Sequence, residues 1–587
     1  MAEYAAQECK FKAFRKTLRQ YRESVRKAAA SAMTPADNVS EIEGQDMELD
    51  TGDWLVDDYG VRKQFGENEV ACSHPIWPVE RLKNIDTGEM KVRLAFRRGS
   101  GGRRLFQTIL TDFDTVSNAK NIVSLARIGI SVTSGKRAQA LVDYIADVMD
   151  LNYDRIPEIK SVSRMGWNEE GFAPYVEGVV FDGNANFADT FEAIHPRGSY
   201  EVWKAEAKAC RQYSIAARLV LAASFASPLV GPLGCLPFFV HLWGMDSATG
   251  KSVAQMLAAS VWADPVIGGR YYKTFKATST GFEIMAGFLN SLPVIIDELQ
   301  LAKDSRGRIN FNVYELAAGS GKLRSNKTLG LVTAPTWSNC FITSGETPLT
   351  GENDGAGALN RVVDIECKAA QKAIRDGHHT AGILKANYGH AGKEFVALLS
   401  MPGSMEGAHA MYEAFYEECL KDNTTEKQAM AAALLLTGDT LASRLIFHET
   451  ESLRPEDIAD FLKTKETVSA AERGYNYMCD WVSQNADRLQ GHPVNGTVYG
   501  LIEEDKPTLT TWAYIIRSVW NSACQEAGIN SVALLSHLKS RELIKYRGRA
   551  STVNKRINKI PTECVALKLP PDTFEDLDDD IQIPFPE

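Results

Sequence analysis

The residues of this chain best placed to do chemistry are a lysine and a serine that open a helix, and two adjacent acids that close a strand. Gly250-Lys251-Ser252 follows the apolar run Phe238 to Trp243 and a polar turn, and precedes the helical run Val253 to Trp262. A strand, a glycine-bearing turn and a helix start in that order present backbone N–H groups to phosphate oxygens, and the helix dipole adds to the attraction. Asp246, Ser247, Ala248, Thr249, Gly250, Lys251 and Ser252 are therefore the candidate cradle for ATP. In that role Lys251 reaches the β- and γ-phosphates and Ser252 holds Mg²⁺. The turn departs from the form G-x-x-x-x-G-K-[ST], because Met245 occupies the first glycine position and Gly244 lies one residue early.

The second half of the constellation is Leu292-Pro293-Val294-Ile295-Ile296-Asp297-Glu298, an apolar strand ending in two acids. Nucleotide hydrolysis needs a carboxylate beside Mg²⁺, which Asp297 can supply, and a base that orients the attacking water, which suits Glu298 just past the strand end. A third strand, Trp337 to Glu346, also ends in polar groups, and Ser344 is its candidate sensor of the γ-phosphate, with Thr343 and Glu346 beside it. The plain alternative for these groups is a capped strand end. Thr280-Gly281-Phe282-Glu283 fits a capping box with Thr280 at the cap, so Glu283 reads as structural. Arg361 follows a glycine-bearing loop and opens a further strand. It is either an arginine finger for a neighbouring subunit's ATP or a surface ion pair. The glycine-rich loop Gly319 to Lys327 carries Lys322, Arg324 and Lys327, the internal candidates for contacts to a DNA backbone.

These residues need a framework, and the composition allows one. The chain has 587 residues, 44% of them hydrophobic and 24% charged, as in ordinary globular domains, with room for several. A net charge of −10 argues against a generally cationic coat for nucleic acid, so any DNA contact is local. The 10 cysteines form no C-x-x-C pair, which points to reduced thiols rather than zinc or redox chemistry. No run approaches eighteen consecutive apolar residues and the first thirty lack a signal-peptide core, so a cytoplasmic protein with no membrane partner is expected.

The expected architecture is α/β, a P-loop NTPase core of AAA+-like type between smaller domains. Residues 1–50 read as a basic helix and an acidic linker, the helix carrying eight Lys and Arg against three Glu by position 27. Residues 51–200 mix short strand-like runs with helices as an N-terminal α+β domain. Within it, Met90–Phe96 and Arg104–Leu110 flank a Gly-Ser-Gly-Gly hairpin loop with Arg97, Arg98, Arg103 and Arg104 around it. That basic tip is either a phosphate contact or a solvated hairpin. Residues 139–149 read as an amphipathic helix.

Residues 201–375 form the ATPase core, whose α/β alternation implies a parallel sheet. Residues 376–490 are helical in composition. Residues 491–570 show helix-like runs at 512–527 and 531–540, then two basic runs, Leu543–Arg549 and Lys555–Ile560. That is the pattern of a winged helix, with Arg547 and Arg549 as its candidate DNA contacts. Residues 571–587 carry seven acids and no base and are expected to be a disordered tail.

Taken jointly, several blocks resemble the DUF927 family, helicase-like P-loop ATPases of phages and mobile elements. They are Trp243–Pro265, Ala277–Glu283, Ile296–Leu299, Tyr314–Lys322 and Ser344–Glu346, with Gly129-Ile130 and Arg164–Trp167 upstream and Asn387–Gly392 and Tyr499-Gly500 downstream. The resemblance implies a replication-type DNA helicase related to ring-forming ATPases of the AAA+ and superfamily 3 type. A homo-oligomer, with a hexameric ring favoured, and other replication proteins are the partners it implies. Two alternatives share the core: an ATP-switched initiator that binds an origin, and a DNA-stimulated ATPase of a defence system.

Overall fold

The computed structural model describes residues 38–64, 70–98, 106–302, 311–325, 331–351, 355–420, 423–493, 496–506, 508 and 510–570, together with 17, 19–22 and 24. The expected basic first helix lies almost wholly outside the described residues, as do the tip of the 99–105 hairpin loop, Lys327 and the acidic tail. The chain divides into two compact units at 188/189.

In the first unit, alternation of apolar and polar residues builds a three-stranded and a five-stranded sheet, beside two two-stranded ladders. Trp54–Asp57, Gly60–Lys63 and Val70–Cys72 form an antiparallel set, and a five-stranded mixed sheet runs in the order Val180–Phe181, Glu158–Val162, Ile76–Asn84, Met90–Phe96, Gln107–Asp112. The expected hairpin is present, with Phe96 opposite Gln107. The helix Lys136–Leu151 buries Leu141, Tyr144, Ile145 and Val148 on one face, as its period demands, and the Tyr144 hydroxyl donates to the Ile76 carbonyl at 2.7 Å. Residues 41–50, expected as a linker, instead send Ile42 and Leu49 into this core.

In the second unit five parallel strands form the central sheet: β1 Phe238–Trp243, β2 Lys273–Thr274, β3 Val294–Asp297, β4 Cys340–Gly345 and β5 Val362–Glu366. Their order is β2-β3-β4-β1-β5. All pairs are parallel, and β1, β3 and β4 are buried along almost their whole length because both their faces are covered. The strand order inserts β4 between the strand before the glycine turn and the strand that ends in acids. Helices α1 (Lys251–Ser260), α2 (Ser279–Leu289) and α3 (Gly377–Ala386) follow β1, β2 and β5. Gln255 of α1 is buried and donates to the Ile296 carbonyl of β3 and the Ile342 carbonyl of β4, which ties the helix to both strands.

Two helices precede β1, Tyr200–Tyr213 and Ile215–Ala226, separated at Ser214, whose hydroxyl caps the second by accepting from the Ala217 N–H. A long helical stretch, Glu426–Phe447, crosses Ile215–Ala226 so closely that a Cβ at Gly438 would lie 2.8 Å from the Ala222 carbonyl. By length and composition Glu426–Phe447 could cross a bilayer, but most of it is buried within this unit. Beside it lies a buried ionic cluster. Asp439 receives Arg211 at 2.7 Å and Arg218 at 2.8 Å, and Arg211 also reaches Glu449 at 2.5 Å.

At the C-terminal end the helix Ala470–Gln484 shares a core with Trp520, Leu534 and Leu538. The helix-like run expected over 512–527 divides. Thr510–Ile516 is a strand, as its threonines, aromatics and isoleucines favour, and only α4, Arg517–Glu526, is helical. Next comes α5, Ser531–Ser540, and then a β-hairpin of Val553–Ile557 with Ile560–Lys568. Of the two basic runs, only the second enters that hairpin. Ile544–Lys545 pairs instead with the far end of Ile560–Lys568.

Candidate active site

The turn after β1 is shaped by close approach of backbone to backbone. A Cβ on Gly244 would lie 2.4 Å from the Cys367 carbonyl, so glycine is required there. Met245 has no left-handed backbone and is 87% exposed. The missing glycine of the motif is thus displaced by one residue, and Met245 occupies a position with no steric demand. Ala248 and Gly250 take φ of 57° and 88°, and a Cβ on Gly250 would lie 2.7 Å from the Ile374 N. Gly250 caps α1, and the first N–H groups of that helix have no acceptor within it. Such a helix start, behind a turn with left-handed residues, can receive an anion.

Side chains from three separate segments converge at this turn. Lys251 Nζ lies over the loop, donating to the Gly244 carbonyl at 2.7 Å and the Asp246 carbonyl at 3.1 Å. Ser252 Oγ is 3.4 Å from Asp297 Oδ1 at the end of β3. From β4, the Ser344 hydroxyl donates to the same carboxylate oxygen and accepts from the Glu298 N–H at 3.2 Å. Asp297 is 4% exposed, and among the described residues no Lys, Arg or His pairs with it. Glu298 has φ of 64° and is exposed in the cleft, a strained backbone held where a side chain meets solvent. Below them the buried Tyr272 hydroxyl donates to Gln255 at 2.8 Å. Burial and then the charge of Asp297 push this phenol well above its usual range, so it remains a donor.

The cleft over this turn holds about 920 Å³, and Asp246 to Val253, Asp297, Glu298, Ser344 and Glu346 line it. The Asp246 carboxylate accepts from the Ala369 N–H at 2.9 Å, which fixes the outer edge of the loop. A hydroxyl and an adjacent carboxylate that has no cation of its own fit Mg²⁺, which favours oxygen ligands and keeps waters and phosphate oxygens as the rest. No group of three or more His, Cys, Asp or Glu suited to an all-protein metal site occurs among the described residues.

Other expected residues lie elsewhere. Thr343 is turned away, its hydroxyl paired with His241 Nδ1 at 2.8 Å. The cap of α2 is Thr278, which accepts from the Gly281 N–H, rather than Thr280; Glu283 does not reach back to the cap but binds Arg324 at 2.7 Å, carboxylate buried. Arg324 therefore already neutralises an acid. Lys322 is exposed beside Glu315 at 3.1 Å. Arg361 lies at the opposite end of the sheet from the turn, since the Phe239 N–H, near the start of β1, donates to its carbonyl. It is 7% exposed, donates to the Gly357 carbonyl and lies over the Tyr314 ring. Arg547 and Arg549 are exposed on the turn between Ile544–Lys545 and Val553–Ile557.

Lys372, Arg375 and His378 also line the cleft, although no motif in the sequence points to them. The one local signal is the helix cap at Asp376, whose carboxylate accepts from the His379 N–H.

A family model described as "Domain of unknown function (DUF927)" matches residues 48–335, and one described as "Cch helix turn helix domain" matches residues 469–572. Among solved structures, one titled "SCCmec type IV Cch - active helicase" is similar at 17% identity and a TM-score of 0.62. The match covers 89% of this chain and 98% of that one, and it shows a shared fold. "The A form apo structure of NrS-1 C terminal region-CTR(305-718)" matches at 10% identity over 64% of this chain and 88% of that one. Its TM-score of 0.22 carries no argument. No curated protein matches the chain.

Proposed function

The chain belongs to the DUF927 family, and from that premise we propose that it is an ATP- and Mg²⁺-dependent motor that moves along DNA, a helicase in the replication of a phage or mobile element. The observation that carries this is convergence: Lys251 and Ser252 after β1, Asp297 and Glu298 after β3, and Ser344 on the strand between them meet at one cleft. A strand between β1 and β3 is the order of P-loop ATPases with an extra central strand, and it supports a P-loop core here. The Cch likeness and the C-terminal helix-turn-helix match support action on DNA.

In this reading Ser252 and Asp297 hold Mg²⁺. When bound, the ion neutralises charge on the β- and γ-phosphates. Lys251 leaves the Gly244 and Asp246 carbonyls for phosphate oxygens without changing its place in the loop. Glu298 takes the proton of the attacking water. Ser344 couples the two acids, because one hydroxyl orients the Asp297 carboxylate and receives the N–H of Glu298, so the metal side and the base move as one piece. Arg361 can serve a neighbouring copy's site in a hexameric ring after it releases the Gly357 carbonyl and the Tyr314 ring. Arg547 and Arg549 supply backbone contacts to duplex DNA, and Lys322, more exposed than Arg324, is placed to track a strand.

A forked-duplex strand-displacement assay with parallel phosphate release tests the motor. ATP-dependent unwinding that disappears in Lys251→Ala is expected. Robust hydrolysis with no unwinding, alongside tight binding to one duplex sequence, overturns the motor and leaves the initiator, which the C-terminal helix-turn-helix match also favours.

A further inference from the structure

The cleft has two flanks, because β1 has β4 on one side and β5 on the other. Asp297, Glu298 and Ser344 occupy the β4 flank. The chain leaving β5 forms the opposite flank, and it is stitched along the glycine turn rather than looping away from it. The Cys367 N–H donates to the Trp243 carbonyl at 2.7 Å, the Ala369 N–H to Asp246, and the Ala373 N–H to the Thr249 carbonyl at 2.8 Å. The Ser214 hydroxyl holds the Ala373 carbonyl from behind at 2.7 Å. Ile374 sits against Gly250, and a Cβ on Gly377 would touch Val253 of α1 at 3.4 Å.

This strap carries Lys372 and Arg375 into the cleft. Both are exposed, and among the described residues neither forms an ion pair. At the start of α3 next to them the Asp376 carboxylate accepts from the His379 N–H, so the flank's positive charge comes from the two side chains. The terminal phosphate of a bound nucleotide belongs beside Asp297, Glu298 and Ser344. Its other end then points to the opposite flank, along Gly250 and Val253, where the strap lies.

The geometry points to residues 372–378 as the nucleoside subsite of this cleft: Arg375 and Lys372 hold the α-phosphate and ribose, and the His378 ring faces the base. This rests on the site's being a nucleotide site, and it assigns the end of the nucleotide that no other residue named above serves. A cation at the α-phosphate meets ADP and ATP alike, whereas a cation on the γ-phosphate meets ATP only.

Calorimetric titration of the full chain with Mg²⁺-ADP and with a non-hydrolysable Mg²⁺-ATP analogue separates the two, with steady-state hydrolysis alongside. Arg375→Ala should weaken both nucleotides by about ten-fold. KM for ATP should rise in step, with kcat changed by less than about three-fold and Arg375→Lys recovering part of the affinity. Unchanged ADP affinity in Arg375→Ala, or a loss confined to the ATP analogue, overturns the subsite while the site stands. Failure of the wild-type chain to bind either nucleotide overturns the site and the subsite together.

Discussion

Two buried carboxylates of the second unit are solvated in opposite ways. Asp439, 2% exposed, is met by the guanidinium groups of Arg211 and Arg218. Asp297, almost as deeply buried, is met by hydroxyls and an N–H: Ser344, Ser252 at longer range and the Glu298 N–H at 3.1 Å. Desolvating a carboxylate costs several kcal/mol unless opposite charge and hydrogen bonds offset it. At Asp439 the offset is internal, so the charge is consumed in joining the helix Tyr200–Tyr213 to Glu426–Ala442. At Asp297 the hydrogen bonds are supplied but the charge is left over, at the floor of an open cleft. A carboxylate oriented but not neutralised is suited to receiving a cation, and this separates a site from a joint more sharply than burial does.

The contrast can be broken in four ways. The largest effect is expected at the open carboxylate and its neighbour: Asp297→Asn and Glu298→Gln should each lower ATP turnover by about 10²–10⁴-fold. Melting temperatures should stay at or above wild type for Asp297→Asn, because a buried charge without a cation is removed. Phosphate-release kinetics and a thermal scan check both halves. Asp439→Asn should behave in reverse, costing about 3–5 kcal/mol because two guanidinium groups lose their partner. The urea midpoint should drop while turnover per folded molecule holds. If the two substitutions produce the same pattern, the distinction between site and joint fails.

Ser344→Ala should have an intermediate effect. It removes one donor to a charged acceptor, worth about 1.5–3 kcal/mol, and should lower kcat by about ten- to a hundred-fold with KM nearly constant.

The smallest effect concerns His241, buried between β1 and β4, where Nε2–H donates to the Thr347 carbonyl at 2.9 Å and Nδ1 accepts from Thr343. Burial holds its pKa below 6.5, Asp364 and the Thr347 carbonyl oppose that change, and Lys463 and Lys251 add to it. Above pH 6.5 both native and unfolded forms are neutral and this residue contributes no pH dependence. Below it the unfolded chain binds the proton first, so stability falls as pH drops toward the native pKa, with a limiting slope of about 1.4 kcal/mol per pH unit. His241→Gln should flatten the fall in melting temperature between pH 7 and pH 5.

Features held within a few residues of chain were legible. An apolar run, a glycine and Lys251-Ser252 specify strand, turn and helix by local propensity and by unsatisfied N–H groups. Ile295-Ile296-Asp297-Glu298 announces a buried strand that ends at a polar rim. The helix over Lys136–Leu151 was visible in its 3.6-residue period. Errors arose where local signals compete. Thr278 and Thr280 are both eligible caps, and α2 starts from the first. Thr510–Ile516 is next to a good helix, and pairing with Gly500–Asp505 and Ile560–Lys568 made it a strand.

The sequence alone determined which groups could act: the lysine and serine at a helix start, two acids at a strand end, a hydroxyl on a third strand. Tertiary structure alone decided which of them meet and what else joins them. That Gly244 rather than residue 245 must be glycine depends on the Cys367 carbonyl. The withdrawal of Arg361 depends on Gly357 and Tyr314, and the arrival of Lys372 and Arg375 depends on a strap bonded to Trp243, Asp246 and Thr249. Propensity acts between neighbours along the chain. Steric demand and charge compensation act between neighbours in space, and those exist only once the sheet has formed.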